Sequence, residues 1–376
     1  MTALKELLEY GQSNPPVAVD EWKKVGNKVV GYWCSYVPPE LIYAAGALPY
    51  RVRGMGATGT EKADHDMSPI CNCTFPRAVL DLAYRGIYNF LDGVIGMNGC
   101  DHSRRAFELW VERLHLSYHH FVFVPRTKKQ VSMEKYVLEL ERFKSSLEQY
   151  LGTKITIEGF KEAVDLYNEN RSLLKQIQEM FKEDNPPLTG TQWHIILNAS
   201  MSISPKQLNQ LLHALLEEMK EMPRRKHYKR RIMIVGWVGD NILVHRIIEE
   251  SGGLVVMDNC CFGARSFWKE VSFDSENPII GLARSYLNQL ACPRMFGSPT
   301  ERYHMVEQAV RDYKIDGIVR TRLQFCDLHG VENVFMNRQK EKMGAPMSAP
   351  LILDYIGQDE GRIRTRMEAF IEQLQK

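Results

Sequence analysis

The sequence lacks the features that mark several large classes of protein. The 376-residue chain has no apolar run of transmembrane length, and its start, MTALKELLEYGQ, lacks the apolar stretch of a signal peptide. Its net charge is only +2, with lysine and arginine spread along the chain, whereas a nucleic-acid-binding surface needs a stronger basic excess. The sequence therefore predicts a cytoplasmic protein that has neither nucleic acid nor a membrane as a partner.

Several local motifs are also missing. There is no Walker A loop, so any ATP that the reaction uses must be bound by another protein. The turn GWVGDN (Gly236–Asn241) does not match G-x-G-x-x-G and is more typical of a tight strand-to-helix turn than of a phosphate loop. The eight cysteines include no CxxC pair and no ferredoxin-like run, which excludes a small zinc module and a local cluster motif.

Short apolar strands alternate with helical segments in the first and last parts of the chain. The clearest strand signals are KVVGY (Lys28–Tyr32), DGVIGM (Asp92–Met97) and RIMIVG (Arg231–Gly236). Residues 130–225 instead carry long segments of 3.6-residue periodicity. Strand–helix alternation favours parallel sheets that are covered on both faces. The sequence predicts an α/β fold of two Rossmann-like lobes, residues 1–128 and 229–376, joined by a helical region at 129–228.

Most of the cysteines fall at the ends of predicted elements. Cys34, Cys100, Cys261 and Cys326 follow predicted strands, and Cys73 begins a predicted helix. Ligands of open α/β sheets bind in the crevice beyond the carboxyl ends of the strands. Disulfides are a poor explanation in a reducing compartment. The placement therefore favours ligands that converge from distant segments.

Thiolates are the soft, anionic ligands that hold iron–sulfur clusters. Helix amide groups beside Cys73 and Cys100 can stabilise the negative charge of such a site. Cys260 and Cys292 are interpreted as packing residues. The alternative for the whole set is ordinary burial, in a metal-free α/β binding protein.

Six stretches of the sequence carry a signature that is specific in combination. They are CSYVPPELIYAAGALPYRVRG (Cys34–Gly54), CTFPRAVLDLAYRG (Cys73–Gly86), LDGVIGMNGCDHSRRAFELW (Leu91–Trp110), DNCCFGAR (Asp258–Arg265), DGIVRTRLQFCDLHGVEN (Asp316–Asn333) and GRIRTRMEAFIEQL (Gly361–Leu374). Together they resemble the D-component of the 2-hydroxyacyl-CoA dehydratase and benzoyl-CoA reductase family. The chain has a length like that of the smaller core subunit, and its helical middle resembles the family least.

The resemblance implies a set of partners and a cofactor. Family members form a heterodimeric core of two related subunits, each of which holds a 4Fe–4S cluster by three cysteines. Matched residue by residue, these are Cys73, Cys100 and Cys326, with Cys34, Cys71 and Cys261 as lower-ranked candidates. A separate activator would hydrolyse ATP and inject the electron, and a ferredoxin-type donor would act upstream of it.

Neighbouring residues have more than one interpretation. Three protein thiolates would leave one iron open to water, to a substrate oxygen or to a hydroxyl. Ser35 is therefore the candidate catalytic residue, with a cap on the turn before Pro38 as its alternative role. Arg77 follows Cys73 by one helical turn and is expected to offset part of the negative charge of the cluster. Cys71 is expected to point away from Cys73 if the helix begins at Cys73.

A run of polar residues follows Cys100. We expect Asp101 to cap a helix and His102 to be either a solvent-facing or a second-layer residue. Arg104 and Arg105 would either neutralise cluster or CoA phosphate charge or pair with nearby acids.

The resemblance implies chemistry on an acyl-CoA substrate. The predicted function is that of an iron–sulfur subunit in an ATP-dependent benzoyl-CoA reductase-type enzyme. Such an enzyme adds single low-potential electrons to an aromatic thioester through a ketyl radical anion. The first alternative is a subunit of a 2-hydroxyacyl-CoA dehydratase, which removes water to give an enoyl-CoA. The alternative of another class is a non-catalytic iron–sulfur cluster-binding protein.

Overall fold

The computed structural model describes residues 2–224, 228–289, 292–297, 299–357 and 359–374. Its strands form two four-stranded sheets in which every neighbouring pair is parallel. Helices surround both sheets, so the predicted α/β class with two Rossmann-like lobes is confirmed. Among the described residues, no helix has an apolar stretch long enough to cross a lipid bilayer.

The first sheet holds most of the N-terminal core. Its strands are β1 (Lys28–Tyr32), β2 (Ala47–Arg51), β3 (Gly93–Met97) and β4 (His119–Val122), which lie side by side in the order β2-β1-β3-β4. Strands β2 and β3 are buried at every residue, as expected for parallel strands that are covered on both faces. The helices of this part are α1 (Ala3–Gln12), α2 (Val17–Lys24), α3 (Pro39–Ala44), α4 (Glu61–Asp64), α5 (Thr74–Tyr84) and α6 (Asp101–Leu114).

Four helices follow in the middle of the described chain. They are α7 (Gln130–Leu151), α8 (Ile157–Met180), α9 (Gly190–Ser200) and α10 (Pro205–Glu221). Local sequence sets their ends. Thr189 and Gln192 form a capping box at α9, and the hydroxyl of Ser204 caps α10, which begins at Pro205. Gly152 ends α7 in the left-handed conformation, with φ at 66°.

The second sheet belongs to the C-terminal part. Its strands are β5 (Arg230–Gly236), β6 (Gly253–Asn259), β7 (Gly317–Leu323) and β8 (Leu351–Leu353), in the order β6-β5-β7-β8. The helices are α11 (Leu243–Glu250), α12 (Pro278–Leu287), α13 (Pro299–Asp312), α14 (Asp327–Arg338) and α15 (Glu360–Gln373), with short 3-10 helices at Ala264–Ser266 and Lys340–Lys342.

Some helices pack outside the segment in which they lie along the chain. Helix α1 packs on α9 and α10, and α12 packs on α7. Buried side chains of the N-terminal and C-terminal parts of the chain therefore share hydrophobic cores with the helical middle. The division of the chain at residues 128 and 228 stays a prediction.

Two element boundaries differ from those that the sequence predicts. The sequence pattern predicts a helix at Val331–Met343, but α14 begins at Asp327 and ends at Arg338. Gly330 lies in the first turn of this helix and weakens its periodic signal, whereas Asp327 favours a helix start through its charge. The sequence pattern also predicts a strand at Phe121–Val124, whereas β4 begins and ends two residues earlier, as an edge strand of which only Val122 is buried.

The two lobes meet through residues that follow the carboxyl ends of their strands. The carboxylate of Asp240, beyond β5, accepts hydrogen bonds from the backbone N–H groups of Gly54 and Met55, at 2.7 and 3.0 Å. It also accepts one from the Tyr355 hydroxyl at 2.9 Å. The GWVGDN turn therefore joins the lobes, in addition to connecting a strand to a helix.

Candidate metal centre

Three cysteines occupy the same structural position in three different helices. Cys73, Cys100 and Cys326 are the N-cap residues of α5, α6 and α14. The sulfur atom of Cys100 accepts a hydrogen bond from the backbone N–H of Ser103, at 3.5 Å. The N-cap position places each of the three cysteines at the positive end of a helix, which favours negative charge there.

The three thiols converge from both lobes. Burial raises the pKa of the Cys73 thiol well above its ordinary value, and the charges of Cys326 and Cys100 raise it further. Burial likewise raises the pKa of Cys326 to about 11, with Cys100 adding to the effect. The pKa of Cys100 is also raised by burial. Without a bound cation the three residues are therefore neutral thiols, and a metal would have to displace their protons.

Contacts from both sheets position Cys73. Its backbone N–H donates to Nδ1 of His102 at 3.3 Å, which joins the start of α5 to the start of α6. The next residue, Thr74, donates to the carboxylate of Asp354, which follows β8 in the other lobe. His102 is thus a second-layer residue that holds the backbone of a candidate ligand.

A backbone conformation of high energy precedes Cys326. Phe325 has φ at 62°, in the left-handed region that bulky side chains rarely adopt. The backbone N–H of Cys326 then closes the turn on the carbonyl of Leu323, at 3.1 Å. Strained backbone of this kind concentrates at functional sites.

The arginines of the site are balanced by acids. Arg77 is buried and pairs with Asp64, and it also donates to the Thr60 hydroxyl at 2.9 Å. The positive charge of Arg77, which was expected to offset the charge of a cluster, is therefore already balanced by the carboxylate of Asp64 in α4. Arg104 and Arg105 both pair with Glu108, at 2.9 and 2.6 Å, as their alternative interpretation predicted.

A second group of thiols lies near the three N-cap cysteines. Cys34, Cys261 and Cys292 are each half-buried, and the thiol of Cys292 hydrogen-bonds to that of Cys261. This bond lowers the pKa of Cys261, and the guanidinium of Arg265 lowers it further, with Nη1 at 3.5 Å from the sulfur atom. The charge of Cys34 raises the pKa values of both Cys100 and Cys261, so Cys34 lies near both groups.

The remaining cysteines stand apart. Cys71 is exposed, whereas Cys73, two residues later, is buried. Cys260 is fully buried in the core, where a packing residue belongs.

Cys292 was also interpreted as a packing residue, and its thiol–thiol contact went unforeseen because it joins segments 31 positions apart along the chain. The sequence signal that could have pointed to a charged thiol here is the four-residue spacing between Cys261 and Arg265.

A small cavity is lined by residues that neighbour the second group of thiols, among them Ser35, next to Cys34, and Arg265, which contacts Cys261. Its volume is about 60 Å³, room for roughly two water molecules. Ser35, Arg51, Asn170 and Arg265 line it. Nε of Arg51 and both amide atoms of Asn170 are buried and have no hydrogen-bond partner among the described residues. The cavity therefore offers the hydroxyl of Ser35 and the guanidinium groups of Arg51 and Arg265, among other charged side chains, to a small polar ligand.

Comparisons with known proteins match almost the whole length of the chain. Residues 34–374 match the model of the family described as "2-hydroxyglutaryl-CoA dehydratase, D-component". The chain belongs to this family. The matched region begins at Cys34 and contains all eight cysteines.

Named relatives come from two kinds of enzyme. The chain is 24% identical over 356 residues to the (R)-phenyllactyl-CoA dehydratase beta subunit of Clostridium sporogenes, covering 94% of this chain and 93% of that protein. It is 22% identical to the beta subunit of (R)-2-hydroxyglutaryl-CoA dehydratase of Acidaminococcus fermentans, with 100% of both chains covered. It is 26% identical over 321 residues to a subunit of the benzoyl-CoA reductase of Thauera aromatica, covering 82% of each.

Proposed function

We propose that this chain is the iron–sulfur subunit of an enzyme that adds low-potential electrons, one at a time, to an acyl-CoA thioester. The observation that carries the proposal is the convergence of Cys73, Cys100 and Cys326 at the N-termini of three helices. Two of these helices belong to one lobe and the third to the other, so the site is complete only in the folded chain.

Three thiolates from separate segments are a donor set that suits a 4Fe–4S cluster, which supplies a one-electron redox centre when it is bound. Cys73, Cys100 and Cys326 would hold it. The N–H group of Ser103, which donates to the sulfur atom of Cys100, would help to tune its potential.

The cavity lined by Ser35, Arg51 and Arg265 is too small for a whole acyl-CoA substrate. The cavity of about 60 Å³ would admit a thioester carbonyl. There, Arg51, Arg265 and the Ser35 hydroxyl would stabilise the negative oxygen of a ketyl radical anion. The rest of the acyl-CoA would then lie against the partner subunit.

Two reactions fit this arrangement. The first is reduction of an aromatic acyl-CoA, supported by the 26% identity to a benzoyl-CoA reductase subunit. The second is dehydration of a 2-hydroxyacyl-CoA, supported by relatives that match over 93–100% of their own length. Coverage favours dehydration, because the reductase relative matches over 82%.

The proposal includes a related subunit and a separate ATP-hydrolysing activator. The named relatives are themselves subunits, and such names belong to enzymes of several chains. Helix α14, capped by Cys326, exposes Val331, Val334 and Phe335 by 55, 54 and 42%. An apolar surface beside a redox site is a suitable contact for a protein partner.

The test is an anaerobic assay of the complex with its related subunit, activator and ATP. Benzoyl-CoA, phenyllactyl-CoA, lactoyl-CoA and 2-hydroxyglutaryl-CoA are each supplied, and products are read by mass spectrometry as gain of hydrogen or loss of water. We expect turnover of one class that is lost in Cys326→Ser, together with the iron and sulfide of this chain. Cys71→Ala is the matched control and should keep both.

Two outcomes would contradict the proposal. Wild-type chain that remains colourless and free of iron after anaerobic reconstitution would exclude the cluster. Iron-replete complex that converts none of these thioesters, with an activator that is shown to hydrolyse ATP, would favour the non-catalytic cluster-binding protein instead.

A further inference from the structure

A group of three ionisable side chains lies outside the thiol site and belongs to three different elements. His194 is on α9, His245 is on α11, and Asp258 is near the end of β6. All three are buried, with at most 5% of any of them exposed. Their ligand atoms lie within 4.8 Å of one another.

Hydrogen bonds determine which atoms face the centre of this group. Nε2 of His194 lies 2.6 Å from the carbonyl oxygen of Gly239, which can only accept, so Nε2 carries the proton. Nδ1 of His194 then presents a lone pair to Oδ2 of Asp258, 3.5 Å away. Oδ1 of Asp258 is held separately by the backbone N–H groups of Cys260 and Ala264, at 3.2 and 3.1 Å.

The ring nitrogens of the second histidine, His245, also lack hydrogen-bond partners. Nε2 of His245 lies 3.8 Å from Oδ2 of Asp258. Both of its ring nitrogens, and Nδ1 of His194, lack a hydrogen-bond partner among the described residues. Burial, with a contribution from His194, lowers the pKa of His245 to about 4, so this ring is neutral at physiological pH.

Buried lone pairs that face one another repel unless a cation lies between them. We propose that His194, His245 and Asp258 form a mononuclear site for a divalent transition-metal ion, with Zn²⁺ as the best match. Two imidazole nitrogens and one carboxylate oxygen are a donor set that zinc prefers, and zinc bonds of about 2.0–2.2 Å place tetrahedral ligand atoms roughly 3.4 Å apart. The separations of 3.5 and 3.8 Å need only a small contraction.

The second layer resembles that of known metal sites. A histidine ligand usually donates its other ring N–H to a carbonyl or carboxylate, as His194 does to Gly239. The ion would join the helical middle to the C-terminal sheet and would hold the GWVGDN turn, in which Asp240 binds both lobes. Complete burial leaves a substrate no access to the ion, so its role would be structural, with a water molecule as the fourth ligand beside the three protein atoms.

The test measures zinc and iron separately in the full-length chain. Wild-type protein with its iron–sulfur cluster reconstituted is equilibrated with zinc buffered at about 1 µM, at which a site of nanomolar Kd is full. Elemental analysis should give about one zinc per chain beyond the iron. Asp258→Asn, which keeps the backbone hydrogen bonds to Oδ1, should weaken zinc binding at least about 100-fold, beyond the cost of losing a second-layer partner. His245→Gln should do the same.

Paired controls separate the two sites. Cys326→Ser should lose iron and keep zinc, whereas His245→Gln should lose zinc and keep iron. His213 is paired with Glu169 at 2.9 Å on the surface, so His213→Gln is the matched exposed control and should keep both metals. Zinc that is retained in both Asp258→Asn and His245→Gln would overturn the assignment. Wild-type chain without zinc at this concentration would overturn it too, whatever the folding of the variants, and would leave a protonated His–Asp pair.

Discussion

The two groups of thiols at the lobe interface differ in the charges beside them. In the N-cap group (Cys73, Cys100 and Cys326), burial raises all three pKa values, and the nearby Arg77 is neutralised by Asp64. In the second group (Cys34, Cys261 and Cys292), the thiol of Cys292 and the guanidinium of Arg265 lower the pKa of Cys261, while the same thiol–thiol contact raises the pKa of Cys292. The N-cap group therefore needs a bound cation to ionise, whereas Cys261 has the cation of Arg265 beside it.

The difference teaches that proximity of cysteines alone does not identify a metal site. Buried thiols without a neighbouring cation stay protonated, and they become ligands only when a metal or a cluster displaces their protons. A thiolate beside an arginine is instead suited to hydrogen bonding or to redox chemistry at a substrate.

The largest expected effect is on the cluster itself and separates Cys73 from Cys71. Cys73→Ala should reduce bound iron from about four per chain to near zero, because one of three thiolates is lost. Cys71→Ala should leave it unchanged, since Cys71 is exposed while Cys73 caps α5. Iron and acid-labile sulfide in anaerobic preparations are the measurement. Loss in Cys71→Ala alone would reverse the assignment. Comparable loss in both would mean a larger cluster, with Cys34 as the next candidate ligand.

A smaller effect should appear in the second group, where the protein supplies the charge. Because the pKa of Cys261 lies below its ordinary value, its thiolate fraction and alkylation rate rise at lower pH than for a free thiol. Arg265→Gln should raise this pKa and move the alkylation profile to higher pH, while Arg265→Lys, which keeps the charge, should move it less. Peptide mapping after timed iodoacetamide treatment gives the rates. An unchanged profile in Arg265→Gln would break the comparison, as would loss of cluster iron in Cys261→Ser.

The smallest effect is expected for Cys260, which belongs to neither group. It is fully buried beside Cys261, so Cys260→Ala should cost about 1–2 kcal/mol of unfolding free energy through lost packing. Iron content and the alkylation of Cys261 should stay as in the wild type. Denaturant unfolding followed by circular dichroism measures the change. A Cys260→Ala chain of unaltered stability but depleted iron would place Cys260 among the ligands instead.

Much of the fold was predictable because parallel strands and their helices leave periodic signals in the sequence. Strands β1, β3 and β5 lie within a residue or two of their predicted bounds. The helix after Cys326 was misplaced because Gly330 and the polar DLHG segment obscure its first turn. The pairing of Arg77 with Asp64 could not be foreseen, since the distance between two charged groups along the chain does not give their distance in space.

The sequence by itself determined the α/β class, the family and the positions of five cysteines at the ends of strands or the starts of helices. These depend on local periodicity and on short motifs, which are legible without a fold. Only the tertiary structure decided which side chains share a site. The N-cap thiols come from two lobes, Cys261 meets Cys292, and His194 meets His245 and Asp258 across three elements. Burial and neighbouring charge set the chemistry of each group, and both arise only when distant segments pack together.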